Sequence, residues 1–193
     1  MPTAFTHGLV GGALAQVAPA GVPRWRLVLM LMIVAILPDA DVIAFSLDIP
    51  YSHPLGHRGF SHSLLFALIV SLMVGLAVFR QPARFTRPWW ALVALTFLAG
   101  ASHGLLDAAT DAGLGIGFFI PFSEARIFYE LRPIRTATVD PIAFFQRRSL
   151  GVLWSEVLWV WLPLLAVSAA YQLGRLLFRF TLKRRPVRGT HAP

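Results

Sequence analysis

Apolar and polar positions alternate along this chain in long blocks rather than with the short period of an amphipathic surface helix. Thr6–Val17 is a Gly- and Ala-rich apolar run that stops at Pro19-Ala-Gly-Val-Pro23, where two prolines and a glycine break any helix. Leu27–Leu37 is uniformly apolar and runs into Pro38-Asp39-Ala40-Asp41. Leu64–Phe79 ends at Arg80-Gln81-Pro82, Trp89–Ser102 leads into His103 and Asp107, and Val152–Phe178 is interrupted only by Glu156 and a few other polar or helix-breaking positions such as Pro163. The first four runs reach the ~20 residues of a membrane span only when their polar ends are counted in. The pattern predicts helices over residues 5–18, 27–45, 62–79, 88–108 and 152–174, forming an all-α polytopic bundle of about five membrane helices.

Arginine placement orients that bundle. Arg24 and Arg26 share one short loop, Arg80, Arg84 and Arg87 another, and Arg175, Arg179, Lys183, Arg184, Arg185 and Arg188 follow the last run. With the predicted helices, all three clusters fall on one side, which the positive-inside rule makes cytoplasmic. The amino terminus and the long connection Ala109–Gly151 then face outward. That connection holds five arginines, but long loops weigh less in the rule.

Depth within the bundle brings the unusual residues together. A helix rises about 1.5 Å per residue, so Asp39 stands roughly 20 Å above Arg26, and His62 roughly 27 Å above Arg80. On the same rise His103 and Asp107 stand about 22 and 28 Å above Pro88, and His7 about 25 Å above Arg24. Four helices thus carry ionisable groups to one level, near the outer edge of a hydrocarbon core about 30 Å thick.

Composition narrows the chemistry. Of 193 residues 56% are hydrophobic and 13% charged, too little polar surface for a soluble domain. The net charge of +8 sits in clusters at membrane edges, the pattern of head-group anchoring rather than of nucleic-acid binding. No basic segment precedes the first apolar run, so no cleavable signal is expected. One domain over residues 1–180 is expected, followed by a basic cytoplasmic tail over 181–193. With no cysteine, any metal has to sit on His and carboxylates.

Five of the six histidines lie in short polar motifs: Thr6-His7-Gly8, Tyr51-Ser52-His53-Pro54, His57-Arg58-Gly59-Phe60-Ser61-His62-Ser63 and Ser102-His103-Gly104-Leu105-Leu106-Asp107. His191 belongs to the basic tail, and His53 reads as a loop residue. His103 and Asp107, four apart, share one helix face with Cβ atoms about 6 Å apart. In a soluble helix that pair reads as a surface ion pair; after an apolar membrane run, burial without a partner is costly. Asp39 and Asp41 can share a cation, or serve as a helix cap and a solvated acid. His57 and His62 flank a glycine turn, where Ser61 or His62 can also cap the next helix. Arg58 can orient an anion or anchor to head groups. A His/Asp donor set suits zinc first and manganese second.

These motifs together resemble the YdjM-type family of LexA-regulated inner-membrane metal-dependent hydrolases. The resemblance runs from Thr6 to Ser123 through His7, PDxD at 38–41, HRGFSHS at 57–63, SHxxxDxxT at 102–110 and the PFS that begins at Pro121 and Phe122. It implies a membrane-embedded bundle with hydrolase activity in a bacterial inner membrane. The family is also distantly similar to zinc phospholipase C and P1-type nucleases, which use HxxxD and HxxxE pairs. On that basis His7, Asp39, Asp41, His57, His62, His103 and Asp107 carry over as metal ligands for one or two divalent ions, and Thr110 matches the end of the pattern. The expected function is hydrolysis of a lipid or lipid-linked phosphate at the outer face, with Asp41 as ligand and possible general base and Arg58 stabilising phosphate charge. The rival reading is a non-enzymatic membrane protein with a structural or transport-related metal. A metalloprotease is disfavoured because HExxH is absent.

Overall fold

The computed structural model describes residues 1–138 and 149–183. The expected basic tail from residue 184 onward lies outside the described residues. Helix α1 spans Ala4–Ala13 and tightens into a 3₁₀ turn over Leu14–Val17. Helix α2 spans Arg24–Ile36, continues as a 3₁₀ stretch over Leu37–Val42 and closes with the short α3, Ile43–Ser46. Then come α4, Leu64–Val78, and α5, Arg87–Ala108. The last long segment comprises α6, Ser149–Glu156, a π-helical stretch over Val157–Trp161, and α7, Leu162–Lys183.

Five helical segments therefore occupy the five apolar runs. Three of them, Arg24–Ser46, Arg87–Ala108 and Ser149–Thr181, are long and apolar enough to cross a membrane, and Leu64–Val78 is a shorter apolar helix. Helix α1 packs on α2, α4 on α5, and both α1 and α2 on α5. Their shared core is built from Leu27, Leu31, Val34 and Ala35 of α2 against Trp89, Leu92, Val93 and Ala99 of α5. The outward faces are apolar as well: Leu29, Ile33, Met73, Leu98, Leu165 and Val167 are exposed. In water this would be an aggregating surface; in a bilayer it is the lipid contact. Helices surrounded by lipid gain little from hydrophobic burial and associate through close packing of small residues. Gly11 is the clearest case. A Cβ there would lie 2.6 Å from the Ala35 Cβ and 2.5 Å from the Leu31 carbonyl oxygen, so α1 crosses α2 at backbone contact.

The connection after α5 folds back over the helix ends. Tyr129 N donates to Ala108 O, Ile134 N to Ala109 O, and Asp111 N to Ile134 O, while Ile116 and Ile127 pair through both backbone groups. Ile116, Phe118 and Ala108 form a second small core beneath it. Leu64 N and Gly117 N are satisfied by Phe118 O and Arg58 O. The connection is thus a lid whose backbone is tied to the same turns that carry the polar motifs.

Candidate metal centre

The polar ends of α1, α2, α4 and α5 meet at one level. His7 closes the first turn of α1. Asp39 lies in the 3₁₀ stretch after α2, His62 ends the 3₁₀ turn Phe60–His62 just before α4, and His103 and Asp107 lie one turn apart near the end of α5. Gly104 permits the approach of α5 to this turn, because a Cβ there would meet Phe118 at 3.0 Å and His62 O at 3.1 Å.

Asp39, His62, His103 and Asp107 each present one ligand atom, all within 4.8 Å of one another. His62 Nε2 is 3.0 Å from His103 Nε2. His103 Nε2 lies 3.2 Å from Asp39 Oδ1, and His62 Nε2 lies 3.6 Å from Asp107 Oδ2 and 3.9 Å from Asp39 Oδ1. For a tetrahedral ion with bonds of 2.0–2.1 Å, neighbouring ligand atoms are separated by about 3.3 Å. The observed edges scatter around that value.

Two further observations test the fit. Both oxygens of Asp39, both of Asp107 and both ring nitrogens of His7 are buried with no hydrogen-bond partner. Such orphaned groups are rare and costly in protein interiors. The outer nitrogens of the two facing histidines are already used. His103 Nδ1 is 2.8 Å from Ala35 O, which accepts only from an N–H and so leaves a lone pair on Nε2. His62 Nδ1 faces Asp41 Oδ2 at 3.2 Å. The donor set fits a divalent cation of the zinc or manganese kind.

His7 extends the cluster. Its Nε2 is 3.4 Å from Asp107 Oδ1 and its ring stacks on His103, centroids 3.8 Å apart. Asp107 is thereby shared between His7 on one oxygen and His62 with Arg58 on the other.

Asp41, His57 and His62 form a second donor set, but of a different character. In a 3₁₀ turn, residues two apart point in divergent directions. Asp39 faces His103, whereas Asp41 faces the His57–His62 turn. Its Oδ1 meets His57 Nδ1 at 2.6 Å, and its Oδ2 accepts from Ser61 Oγ at 2.5 Å and from Arg58 N at 3.0 Å. With His62 Nδ1 added, Oδ2 is fully engaged, while Oδ1 keeps a lone pair beyond the His57 contact. A carboxylate holding the far nitrogen of a ligand histidine fixes tautomer and ring orientation.

Arg58 lies inside the site rather than at its mouth. It is 1% exposed and adopts a left-handed backbone conformation with φ of 62°, which costs energy for a side chain with a Cβ. Its Nε is 3.2 Å from Asp107 Oδ2 without hydrogen-bond alignment. The guanidinium donates to Ala112 O at 2.8 Å and Thr110 Oγ1 at 3.1 Å. Thr110 in turn donates to Asp107 O. Arg58 therefore offsets the charge of Asp107. Among the described residues it is the one Arg or Lys side chain within ion-pair distance of the buried carboxylates Asp39 and Asp107.

His53 is exposed and accepts from Leu55 N, a turn contact away from the cluster. Sequence reasoning gave Ser61 only a capping role, which Ser63 fills, whereas Ser61 bonds both Asp41 and His62; it missed Arg126, whose guanidinium binds the carbonyls of Tyr51, His53 and His57. It also missed the carbonyl of Ala35, since a main-chain acceptor leaves no mark in a sequence. At the rim, burial raises the Tyr51 phenol above its ordinary pKa.

The inner membrane protein YbcI of Escherichia coli (strain K12) is 37% identical over 166 residues, covering 84% of this chain and 92% of that protein. No solved structure matches the chain. The family model described as YdjM inner membrane protein matches residues 1–182. The chain belongs to that family of inner membrane proteins.

Proposed function

We propose that the chain is a membrane-embedded metal-dependent hydrolase, a phosphoesterase acting on a lipid or lipid-linked phosphate at the outer face of the inner membrane. The observation that carries this reading is the convergence of Asp39, His62, His103 and Asp107, whose ligand atoms face one another while two of the four residues, Asp39 and Asp107, have no hydrogen-bond partner. A divalent ion held there would supply a Lewis acid for a phosphoryl oxygen and, by expanding its coordination beyond the four protein ligands, would make water a nucleophile near neutral pH.

The remaining residues have distinct tasks in this reading. Asp41 orients the rings of His62 and His57, and its Oδ1, which meets only His57, keeps a lone pair for a further donor. His57, backed by Asp41 at 2.6 Å, is the better proton carrier: its Nδ1 is held, which leaves Nε2 to exchange a proton. Arg58 balances Asp107 and reaches developing phosphate charge only through that pairing.

Substrate class is supported by the surroundings. An apolar cavity of about 330 Å³ is lined by Leu64, Leu68, Phe97, Phe118 and Ile120, among others. It begins two residues from His62 and shares Phe118 with the contact at Gly104. Its size and wall suit part of an acyl or isoprenyl chain. The Arg24, Arg80 and Arg84 end of the bundle supports the outward orientation through the positive-inside rule.

The rival reading, a structural ion, draws on the complete burial of His7, His103 and Asp107. Detergent-purified protein, loaded with zinc or manganese, should cleave a member of a panel of phospholipids, isoprenoid phosphates and nucleotides, and a chelator should abolish that turnover. A metal-loaded sample inert across the panel, whose thermal stability collapses on chelation, would favour the structural ion.

A further inference from the structure

Glu156 is a fully buried carboxylate that the metal cluster does not use. It ends α6, where the helix passes into the π-helical stretch Val157–Trp161, in an otherwise apolar run. Among the described residues no cation lies within ion-pair distance of it. An ionisable group inside a membrane segment is expensive and is retained where it has a task.

Its partners all lie in the first turn of α1. Thr3 N donates to Oε1 at 2.5 Å, and Thr3 Oγ1 and Thr6 Oγ1 each donate to Oε2 at 2.7 Å. Trp161 Nε1, one turn further along the same segment, donates to Thr6 Oγ1 at 2.7 Å. Thr3 is also the N-cap of α1, its Oγ1 accepting from Thr6 N. Four hydrogen bonds thus lock the amino-terminal turn of α1 onto the last membrane segment. The π-helical turn brings Trp161 onto the same threonine, and such single turns recur at functional sites.

His7 is the next residue after Thr6. Its ring makes no hydrogen bond, so the placement of its helix turn, with the stack on His103 and the facing Asp107 carboxylate, orients it. We infer that Glu156 is a positioning residue of the metal centre: through Thr3 and Thr6 it holds the first turn of α1 where His7 faces Asp107. The effect on bound metal rests on the function proposed above; the effect on the His7 ring does not.

The experiment uses full-length protein in detergent carrying ¹⁵N-labelled histidine rings, with His7 assigned from His7→Ala, and the same proteins loaded with cobalt. Glu156→Ala should move the His7 ring resonances while leaving those of His57 in place, and should turn the cobalt absorption spectrum into that of His7→Ala. Glu156→Gln, which keeps one acceptor oxygen, should fall between. If Glu156→Ala does not fold, Thr6→Val, which removes the donor next to His7, is read the same way. Unmoved His7 resonances together with a lower melting temperature would overturn the inference and leave Glu156 as helix glue. Should the wild type take up no cobalt, the metal reading fails while the resonance comparison still decides the positioning role.

Discussion

His62 and His103 meet through their Nε2 atoms at 3.0 Å, and the opposite nitrogen of each ring is committed elsewhere, to Asp41 and to the Ala35 carbonyl. Two lone pairs at that distance repel unless a cation stands between them. A proton meets the need of the two rings and lends positive charge to Asp39 and Asp107, but leaves the oxygens of both without hydrogen-bond donors. A divalent ion satisfies all four residues at once, which is why the pair of histidines is the centre of the account.

Asp41→Asn tests the division between ligands and their supports. Asparagine cannot accept from all four donors, so the His62 and His57 rings lose their orientation. Metal affinity should fall about 10–100-fold, the usual cost of losing such a support, and turnover should fall with it while the fold persists. Titration of metal-free protein with zinc measures the affinity; unchanged affinity would contradict the assignment of Asp41 as a support.

Arg58→Ala removes the guanidinium that faces the buried Asp107 carboxylate. Losing one partner of a buried pair costs about 3–5 kcal/mol. The metal-free variant should therefore melt well below metal-free wild type, and added zinc should restore more stability to the variant than to the wild type. Thermal melts with and without zinc read this directly, and equal gains in the two proteins would show that Arg58 does not neutralise the same charge as the ion.

Gly11→Val probes the bundle away from the site. The added side chain meets the Leu31 carbonyl and Ala35, so α1 has to move off α2 at a cost of about 1–3 kcal/mol, typical of overpacking. Because His7 shares that helix, metal affinity should fall as well. A variant with wild-type melting temperature would mean that the two helices are not in backbone contact.

Orientation is testable because the chain has no cysteine of its own. A cysteine at Ala112, in the exposed part of the lid, should react with an impermeant thiol reagent in intact cells. One at Gln81, within the Arg80, Arg84 and Arg87 cluster, should react only after lysis. Reversed labelling would turn the site toward the cytoplasm.

Much of this was legible in the sequence because depth is additive along a helix. Residue counting alone brings His7, Asp39, His62, His103 and Asp107 to one level, and the structure joins them there. Direction around the axis is not legible in the same way once the pitch changes. The 3₁₀ stretch over Leu37–Val42 separates Asp39 from Asp41, so two acids read as sharing one cation fall in different donor sets, Asp39 with His103 and Asp41 with His57. Arg58 reads as an anion partner or a head-group anchor, yet it lies buried on a left-handed turn against Asp107. Glu156 appears in sequence only as an interruption of an apolar run, since its partners Thr3 and Thr6 are some 150 positions away.

The most direct test of the central claim is the metal content of the purified protein. Wild type expressed in zinc- and manganese-supplemented medium and analysed by inductively coupled plasma mass spectrometry should carry about one divalent ion per chain, as four protein ligands imply. Asp107→Asn and His103→Ala, purified as monodisperse samples, should carry almost none. A wild type that stays metal-free after loading, with a melting temperature indifferent to zinc, manganese and chelator, would contradict the account.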